Sequence, residues 1–183
     1  MCPHFRHMNE KNTNRISRRM SRYLRHAPEE IGIQLSPDGW TDTKALTTAL
    51  GITREQLELV VAGNDKQRFA FDDTGTRIRA NQGHTVPVEL DLPVATPPAT
   101  LYHGTVAKFL DAIMTEGLRP MTRHDVHLSP DVPTAVKVGS RRGKPVVLAV
   151  DARRMQADGH VFRLSANGVW LTEHVPATYL SST

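Results

Sequence analysis

Polar and apolar residues alternate over residues 65–84, and a period of two residues is typical of β-strands. Phe69 and Phe71 share one face of the first strand, and Arg68 lies on the other. The polar tetrapeptide at 72–75 ends in glycine and predicts the turn of a β-hairpin. The phenylalanine face is expected to pack on a core, whereas the arginine face is expected to bind an anion. The alternative is a solvated hairpin whose arginines only maintain solubility.

A helical period precedes the hairpin. Ile16, Met20 and Leu24 recur at helical spacing, and Asn14 before them is predicted as the N-cap. Arginines cluster on another face of this helix, and such like charges repel one another unless anions neutralise them. The last turn contains His26, whose charged form would gain from the negative end of the helix dipole. A functional histidine and a simple surface cap residue both agree with that position.

Two short helices are predicted between the first helix and the hairpin. Thr53 and Gln56 form a capping-box pattern that opens the second of them. The order helix, turn, helix, helix, hairpin is the outline of a winged helix, with the hairpin as the wing. Such a module is commonly a platform for nucleic acid. The first short helix, over residues 42–50, is predicted to pack inward through Ala45, Leu46, Ala49 and Leu50.

The character of the chain changes after residues 86–100, a proline-rich stretch that predicts a linker. A strand near Leu101 follows, and then an amphipathic helix over residues 106–116 that Gly117 ends. The remainder is predicted to be strand-rich, so the fold class is α+β with two lobes. The inward positions of the amphipathic helix are predicted to be Phe109, Leu110, Ile113 and Met114. The predicted organisation is a flexible tail at 1–13, a winged-helix lobe at 14–85, the linker at 86–100 and a strand-rich lobe at 101–183.

The chain carries a modest positive charge. It has 23 lysines and arginines and 19 aspartates and glutamates, so its net charge is +4. This balance favours a polyanionic partner. The single cysteine, Cys2, excludes an internal disulfide and a cysteine zinc cluster, so an intracellular, cytoplasmic protein is expected. No apolar run is long enough to cross a bilayer, and no metal site is expected at His4 and His7. Without an unclaimed apolar stripe, the chain is expected to be a soluble monomer.

Seven short motifs occur in the order and approximate spacing of the RNA 2′-phosphotransferase family, which the chain resembles from about residue 16 to about residue 180. Each motif alone is weakly specific, but seven in register are hard to obtain by chance. They are Leu24-Arg25-His26, DKQRF at 65–69, RANQGH at 79–84, YHGT at 102–105, HDVHLS at 124–129, Gly139-Ser140-Arg141 and NGVWL at 167–171.

The resemblance implies a winged-helix RNA lobe joined to an ADP-ribosyltransferase-like lobe that binds NAD. It also implies a reaction in two steps that needs no metal. An internal 2′-phosphate of RNA attacks the anomeric carbon of NAD+ and expels nicotinamide. The ribose 2″-hydroxyl of the ADP-ribosylated phosphate then attacks phosphorus, which releases 2′-hydroxyl RNA and ADP-ribose 1″,2″-cyclic phosphate.

Residue roles follow from the same resemblance. Planar guanidinium groups suit a phosphate that gains negative charge in the transition state. The resemblance favours Arg141 over its neighbour Arg142 without excluding the latter, and Arg119 and Arg123 are candidates for the pyrophosphate unless their loop is simply solvated. The expected catalytic residues are Arg25, His26, Arg68 and Arg141; the expected NAD-binding residues are His103, Gly104, Thr105, Gly117, Arg119, His127 and Ser129; and the expected RNA-binding residues are Lys66, Arg79, Gln82 and His84.

Two alternatives remain beside the phosphotransferase hypothesis. One is a transferase that caps a 5′-phosphorylated nucleic-acid end with ADP-ribose, which would use the first step without the second. The other is a winged-helix binding protein with a degenerate second lobe, which would bind without releasing nicotinamide. The phosphotransferase hypothesis requires Arg25, His26, Arg68 and the basic loop near Arg141 to converge from both lobes.

Overall fold

The computed structural model describes residues 9–64 and 66–183. The chain forms two compact units, the first ending at Asp91 and the second spanning Leu92–Thr183. Both combine helices with small antiparallel sheets, as the predicted α+β class requires. The residues Cys2, His4, His7 and Asp65, named in the sequence analysis, lie outside the described residues.

Three helices belong to the first unit. A capping box opens the last of them, as predicted: the backbone N–H of Gln56 donates to Thr53 Oγ1 at 3.2 Å, and that of Thr53 donates to Gln56 Oε1 at 3.0 Å. A 3₁₀ turn at Pro28–Ile31 follows the first helix. The helices are α1 at Glu10–Arg25, α2 at Thr43–Leu50 and α3 at Arg54–Ala62.

Helix α1 begins earlier than its apolar period indicated. Asn9 is the N-cap, and its side chain accepts a hydrogen bond from the backbone N–H of Lys11 at 2.9 Å. The predicted cap at Asn14 is therefore wrong, and residues 10–13, assigned to the tail, are helical. The first turn was missed because it is polar and is stabilised by its cap and by Glu10 near the positive end of the helix dipole.

The predicted hairpin is present in the first unit. Strand β2 at Phe69–Phe71 pairs antiparallel with β3 at Arg77–Ala80, and the short β1 at Thr41–Asp42 pairs with the other edge of β3. (β1 precedes the hairpin in the chain.) Phe71 lies opposite Ile78, so the apolar residues of both hairpin strands share the face that packs on the helices.

The core of the first unit lies between this sheet and the three helices. Ala45 was predicted to point inward but is exposed, and Thr43 is buried in its place. A hydrogen bond at the start of α2 explains the difference. Thr43 Oγ1 donates to the carbonyl of Thr76 at 2.9 Å, and this bond decides which side of the helix faces the core. The core residues include Ile16, Met20, Leu24, Leu46, Leu50, Leu57, Val60, Phe69 and Ile78.

The segment 86–99 between the units carries no helix, and its one paired position is Val94, in an isolated bridge with Arg163. The backbone N–H of Glu89 donates to Pro37 at 2.8 Å, which fastens the first half of the segment to the first unit. The backbone N–H of Ala95 donates to Phe162 at 2.9 Å, which fastens the second half to the second unit. Hydrogen bonds therefore hold both halves of this segment in place.

The second unit contains two three-stranded antiparallel sheets and three short helices. One sheet consists of β4 at Thr100–Val106, β6 at Pro145–Asp151 and β9 at Leu180–Ser182, in the order β4-β6-β9. The other consists of β5 at Val126–Leu128, β7 at Arg163–Leu164 and β8 at Trp170–Thr172, in the order β5-β8-β7. The helices are α4 at Leu110–Glu116, α5 at Val132–Gly139 and α6 at Ala152–Ala157.

Helix α4 differs from its prediction. Phe109 and Met114 were expected to point inward, but 37% and 39% of their surfaces are exposed, whereas Leu110 and Ile113 are half-buried. A 3₁₀ turn at Ala107–Phe109 precedes the helix and changes its phase, so an uninterrupted helical period did not apply.

The core of the second unit brings the two sheets and α6 together through Leu101, Leu128, Val150, Met155, Phe162 and Trp170. Across the described ranges, no helix is both long enough and apolar enough to span a membrane.

Candidate active site

Arg25 and His26 lie at the carboxyl end of α1, where the segment that follows the hairpin contacts them. The carbonyl of Arg25 accepts hydrogen bonds from the backbone N–H groups of Thr85 and Val86, at 2.9 and 3.3 Å. The imidazole Nδ1 of His26 lies 3.0 Å from Thr85 Oγ1. The exit of the hairpin therefore fixes both the main chain and the ring at the end of the helix.

The Thr85 hydroxyl also determines which nitrogen of His26 is available for chemistry. Thr85 Oγ1 donates to the carbonyl of Arg25 at 3.4 Å, so it accepts the hydrogen of His26 Nδ1. In the neutral ring the lone pair is then on Nε2, where it can accept a proton. The contact at Nδ1 thus sets the direction in which Nε2 points.

Arg68 follows the loop between α3 and β2 and is half-buried. Its Nη1 lies 3.3 Å from the side-chain oxygen of Asn64, and its carbonyl accepts from the backbone N–H of Asn81 at 2.9 Å. Lys66 shares this loop and is also half-buried. The loop is thus held at both ends by asparagines.

The arginine face of α1 is partly neutralised within the first unit. Arg22 forms a bidentate pair with Glu30, with nitrogen-to-oxygen distances of 3.0 and 2.7 Å. Arg19 Nη1 donates to the carbonyl of Leu50 at 3.0 Å and holds α1 against α2. The anion-binding surface predicted for this helix is therefore narrower than the arginine count suggested.

The candidate RNA-binding residues of the hairpin occupy different environments. The guanidinium of Arg79 stacks 4.5 Å from the ring centre of Trp40, and its Nη1 donates to the carbonyl of Asp38 at 3.3 Å. Gln82 is half-buried, whereas His84 is buried, with 3% of its surface exposed. A Cβ added to Gly39 would lie 3.5 Å from His84 Nε2, so the ring packs against this turn glycine.

In the second unit, His103 on β4 and His127 on β5 are brought together by a bridge between their strands. Tyr102 and Ser129 exchange backbone hydrogen bonds of 2.9 and 2.8 Å. His103 Nδ1 lies 3.2 Å from the carbonyl of His127. Because a carbonyl only accepts, the hydrogen of the neutral His103 ring is on Nδ1, and Nε2 presents a lone pair.

His127 presents the opposite polarity. Arg123 Nη1 lies 2.8 Å from His127 Nδ1, and because a guanidinium only donates, that nitrogen is the acceptor and Nε2 carries the hydrogen. Burial lowers the pKa of His103, with Arg142 contributing, while the bond to His127 opposes the shift. The neutral form of His103 is therefore favoured, and the two rings offer one acceptor and one donor.

A group of arginines surrounds these histidines. Burial lowers the pKa of Arg123, and the positive charges of Arg142 and Arg141 lower it further. The positive charge of Arg142 acts on both His103 and Arg123. Arg119, expected to bind the cofactor, instead lies 3.5 Å from Glu116 in an exposed ion pair. Arg123 fits an anion better than Arg119.

The glycines of the candidate cofactor site are explained by backbone packing. A Cβ on Gly104 would lie 1.8 Å from the carbonyl oxygen of Ala135, so α5 crosses β4 at this point. A Cβ on Gly117, whose φ is 82°, would lie 2.2 Å from the carbonyl oxygen of Val175. Thr105 and Ser129 are buried beside these crossings.

Two residues that hold functional candidates were missed from the sequence, namely Asn64 and Thr85. The fold brings each of them next to a partner that is distant in the chain, so no local sequence pattern reveals the contact. Within the described residues, no group of three or more His, Cys, Asp or Glu side chains is arranged to bind a metal ion.

Comparison with known proteins agrees with the motifs. The model of the family described as RNA 2'-phosphotransferase, Tpt1 / KptA family, matches residues 11–174. A protein of Streptomyces coelicolor named "Probable RNA 2'-phosphotransferase" is 58% identical over 178 residues, covering 94% of this chain and 97% of its own length. Proteins of the same name from Streptomyces griseus and Nostoc punctiforme are 55% and 52% identical, each covering 94% of this chain and 98% of their own length. The chain therefore belongs to the RNA 2′-phosphotransferase family of transferases.

Proposed function

We propose that this chain removes an internal 2′-phosphate from RNA, of the kind left by tRNA splicing, with NAD+ as co-substrate. The first unit would act as a winged-helix RNA module, and the second as an ADP-ribosyltransferase-like module. The observation that carries the NAD part of the proposal is the arginine group around His103 and His127. Because the positive charges of Arg142 and Arg141 act on Arg123, a bound pyrophosphate would relieve that repulsion.

The histidine pair suits the ribose part of a dinucleotide. A ribose hydroxyl both donates and accepts, so it can donate to the Nε2 lone pair of His103 and accept from the Nε2 hydrogen of His127. The lowered pKa of His103 favours this polarity at neutral pH. Arg123 would bind the adjoining pyrophosphate in place of Arg119.

The phosphate chemistry is assigned to Arg25, Arg68 and Arg141. In the first step a phosphate oxygen forms a bond to the anomeric carbon, and nicotinamide departs with the electrons of the broken carbon–nitrogen bond. In the second step the 2″-oxygen forms a bond to phosphorus while the RNA 2′-oxygen leaves. Guanidinium groups stabilise the charge that gathers on the phosphoryl oxygens, and removing one should cost about 3 kcal/mol or more, which is about a hundredfold in rate.

His26 is assigned to the second step. Its Nε2 can take the proton of the attacking 2″-hydroxyl, since Nδ1 is engaged by Thr85. The same proton can then protonate the departing RNA 2′-oxygen, so the step requires no net proton from solvent. Loss of His26 should therefore slow breakdown of the ADP-ribosylated intermediate more than its formation.

The proposal is tested by incubating the protein with NAD+ and a short RNA that carries one internal 2′-phosphate. Mass spectrometry of the products should show 2′-hydroxyl RNA, nicotinamide and ADP-ribose cyclic phosphate, and Arg68→Ala should slow their formation by about a hundredfold. A parallel reaction with 5′-phosphorylated RNA tests the capping alternative, which predicts stable ADP-ribosylated ends. Unchanged NAD+ in every reaction would contradict both transferase hypotheses and favour a binding module.

A further inference from the structure

Asn64 is a buried amide between α1 and the loop that carries Arg68. It follows Gly63, the C-cap of α3, and 9% of its surface is exposed. Its Nδ2 donates to Ser17 Oγ on α1 at 3.3 Å, and its Oδ1 accepts from the backbone N–H of Lys66 at 3.2 Å. The same oxygen accepts from Arg68 Nη1 at 3.3 Å. One side chain thus connects the helix, the loop and the guanidinium.

The arginines of the first unit contact either carboxylates or neutral oxygens, and Arg15 donates to the side-chain oxygen of Asn12 at 2.8 Å. Arg22, Arg54 and Arg77 each pair with a carboxylate, at 2.7, 2.7 and 3.1 Å. Asn64 offers a neutral oxygen, which orients a guanidinium without cancelling its charge. The Asn64 contact can therefore direct the Arg68 guanidinium without itself adding a negative charge.

The backbone of the loop is fixed by a second asparagine. Gln67 has a φ of 40°, a left-handed conformation that is unfavourable for a residue with a side chain. Its N–H donates to the carbonyl of Asn64 at 2.7 Å, and its carbonyl accepts from Asn81 Nδ2 at 2.6 Å. The backbone N–H of Asn81 donates to Arg68. These bonds offset the cost of the left-handed residue just before Arg68.

We propose that Asn64 is a positioning residue that sets the direction of the Arg68 guanidinium, with Asn81 fixing the backbone on which Arg68 stands. This inference rests on the proposed function, because it takes Arg68 as a phosphate ligand. It adds two residues of the first unit to the machinery of the reaction. Asn64 acts through Arg68 and touches no substrate itself.

Substitution of Asn64 separates positioning from support of the fold. Asn64→Ala removes the acceptor and should lower kcat by about 10- to 100-fold, because small displacements of a phosphate ligand are costly, while KM for NAD+ stays within about twofold. Asn64→Asp keeps the size and the acceptor but adds a negative charge beside Arg68. It should reduce kcat at least as strongly, although a purely structural role would leave this variant active.

A double-mutant cycle with Arg68→Ala is the decisive measurement. Single-turnover rates on the 2′-phosphorylated RNA are compared for wild type, Asn64→Ala, Arg68→Ala and the double variant. If Asn64 acts through Arg68, its substitution should change the rate of the Arg68→Ala protein by less than about threefold. An equal loss in both backgrounds, or no loss in wild type, would overturn the proposal.

Controls keep this test distinct from the test of the function itself. Asn14→Ala replaces an exposed asparagine of α1 and should keep the wild-type rate. Absence of activity in the wild-type protein would contradict the proposed function, whereas an active wild type with unaffected Asn64 variants contradicts only the positioning role. Thermal unfolding is measured for each variant, and if Asn64→Ala does not fold, Asn64→Ser takes its place in the cycle.

Discussion

His26 and Thr85 are joined by a 3.0 Å contact between imidazole Nδ1 and hydroxyl Oγ1, although 59 residues separate them in the chain. The contact fixes the direction of the ring, and the proposed function takes its Nε2 as the base. Thr85→Val keeps the shape and removes the hydroxyl, so we expect kcat to fall by about 10-fold because the ring loses its fixed tautomer and direction. Steady-state kinetics with the 2′-phosphorylated RNA measure this effect.

The conservative variant Thr85→Ser retains the hydroxyl and should restore most of the rate. Thr48→Val, on the exposed side of α2, is the matched control and should leave kcat unchanged. A Thr85→Val protein with full activity would show that the hydroxyl does not orient a catalytic ring.

Arg123 and Arg119 make a second matched pair. Both side chains are exposed, but Arg123 contacts His127 and is acted on by like charges, whereas Arg119 pairs with Glu116. Arg123→Ala should raise KM for NAD+ by about 10-fold or more, since a charged hydrogen bond contributes about 1.5–3 kcal/mol. Arg119→Ala should change it by less than about twofold, because exposed ion pairs contribute little. Equal effects of the two substitutions would refute this assignment of the pyrophosphate ligand.

Arg141 and Arg142 are adjacent but are expected to act differently. Arg142 acts electrostatically on His103, whereas Arg141 is the residue that the family resemblance assigns to the phosphate. Arg141→Ala should lower kcat by about 100-fold, while Arg142→Ala should mainly raise KM for NAD+. The reverse result would assign the phosphate to Arg142.

Stability should depend on pH through His103. Burial lowers its pKa in the folded protein below the ordinary value of 6.5, so the unfolded chain binds the proton more readily. The contribution of His103 to the free energy of unfolding is complete above pH 6.5. It is lost as the pH falls from there through the lower pKa of the folded protein. Thermal unfolding between pH 5 and 7.5 should therefore be less pH-dependent in His103→Gln than in wild type.

His174→Gln replaces an exposed histidine and corrects for the general effect of losing one imidazole. An unchanged pH dependence in His103→Gln relative to this control would contradict the proposed origin of the acid instability.

The close packing at Gly104 predicts the effect of a substitution on the stability of the fold. A methyl group there would lie 1.8 Å from a carbonyl oxygen of α5, and neither backbone can move without disturbing β4. Gly104→Ala should cost about 3 kcal/mol or more, measured by denaturant unfolding. Gly159→Ala should cost about 1–2 kcal/mol, since nothing lies within 4 Å of the added Cβ and only a left-handed φ of 95° opposes it. Equal losses would mean that the crossing tolerates a side chain.

The sequence predicted the hairpin well because a strand period of two assigns every side chain to a face once one strand is known. Phe69 and Phe71 were placed on the buried face on that basis, and the pairing of Phe71 with Ile78 is given by the structure. The same reasoning was insufficient for α4, where a 3₁₀ turn at Ala107–Phe109 interrupts the helical period. It was also insufficient for the start of α1, where a polar cap at Asn9 replaces an apolar pattern.

The candidate site shows a similar division. Arginines and histidines could be chosen from motifs, since their chemistry is visible in the residue type. Their supporting groups could not, because the bond of Asn64 to Ser17 crosses 47 positions and that of Thr85 to His26 crosses 59. Such contacts depend on how the elements pack, and an isolated asparagine or threonine carries no sign of them.

The close crossing of α5 over β4 has one more consequence. Helix α5 continues directly into the turn Ser140–Arg142, and a Cβ on Gly139 would lie 2.8 Å from the carbonyl of Thr105. Close main-chain contacts between α5 and β4 therefore set the distance between the turn Ser140–Arg142 and the backbone of His103. Side chains at 141 and 142 can therefore be exchanged without altering that spacing, so substitutions there should change the charge of the turn and leave its backbone in place.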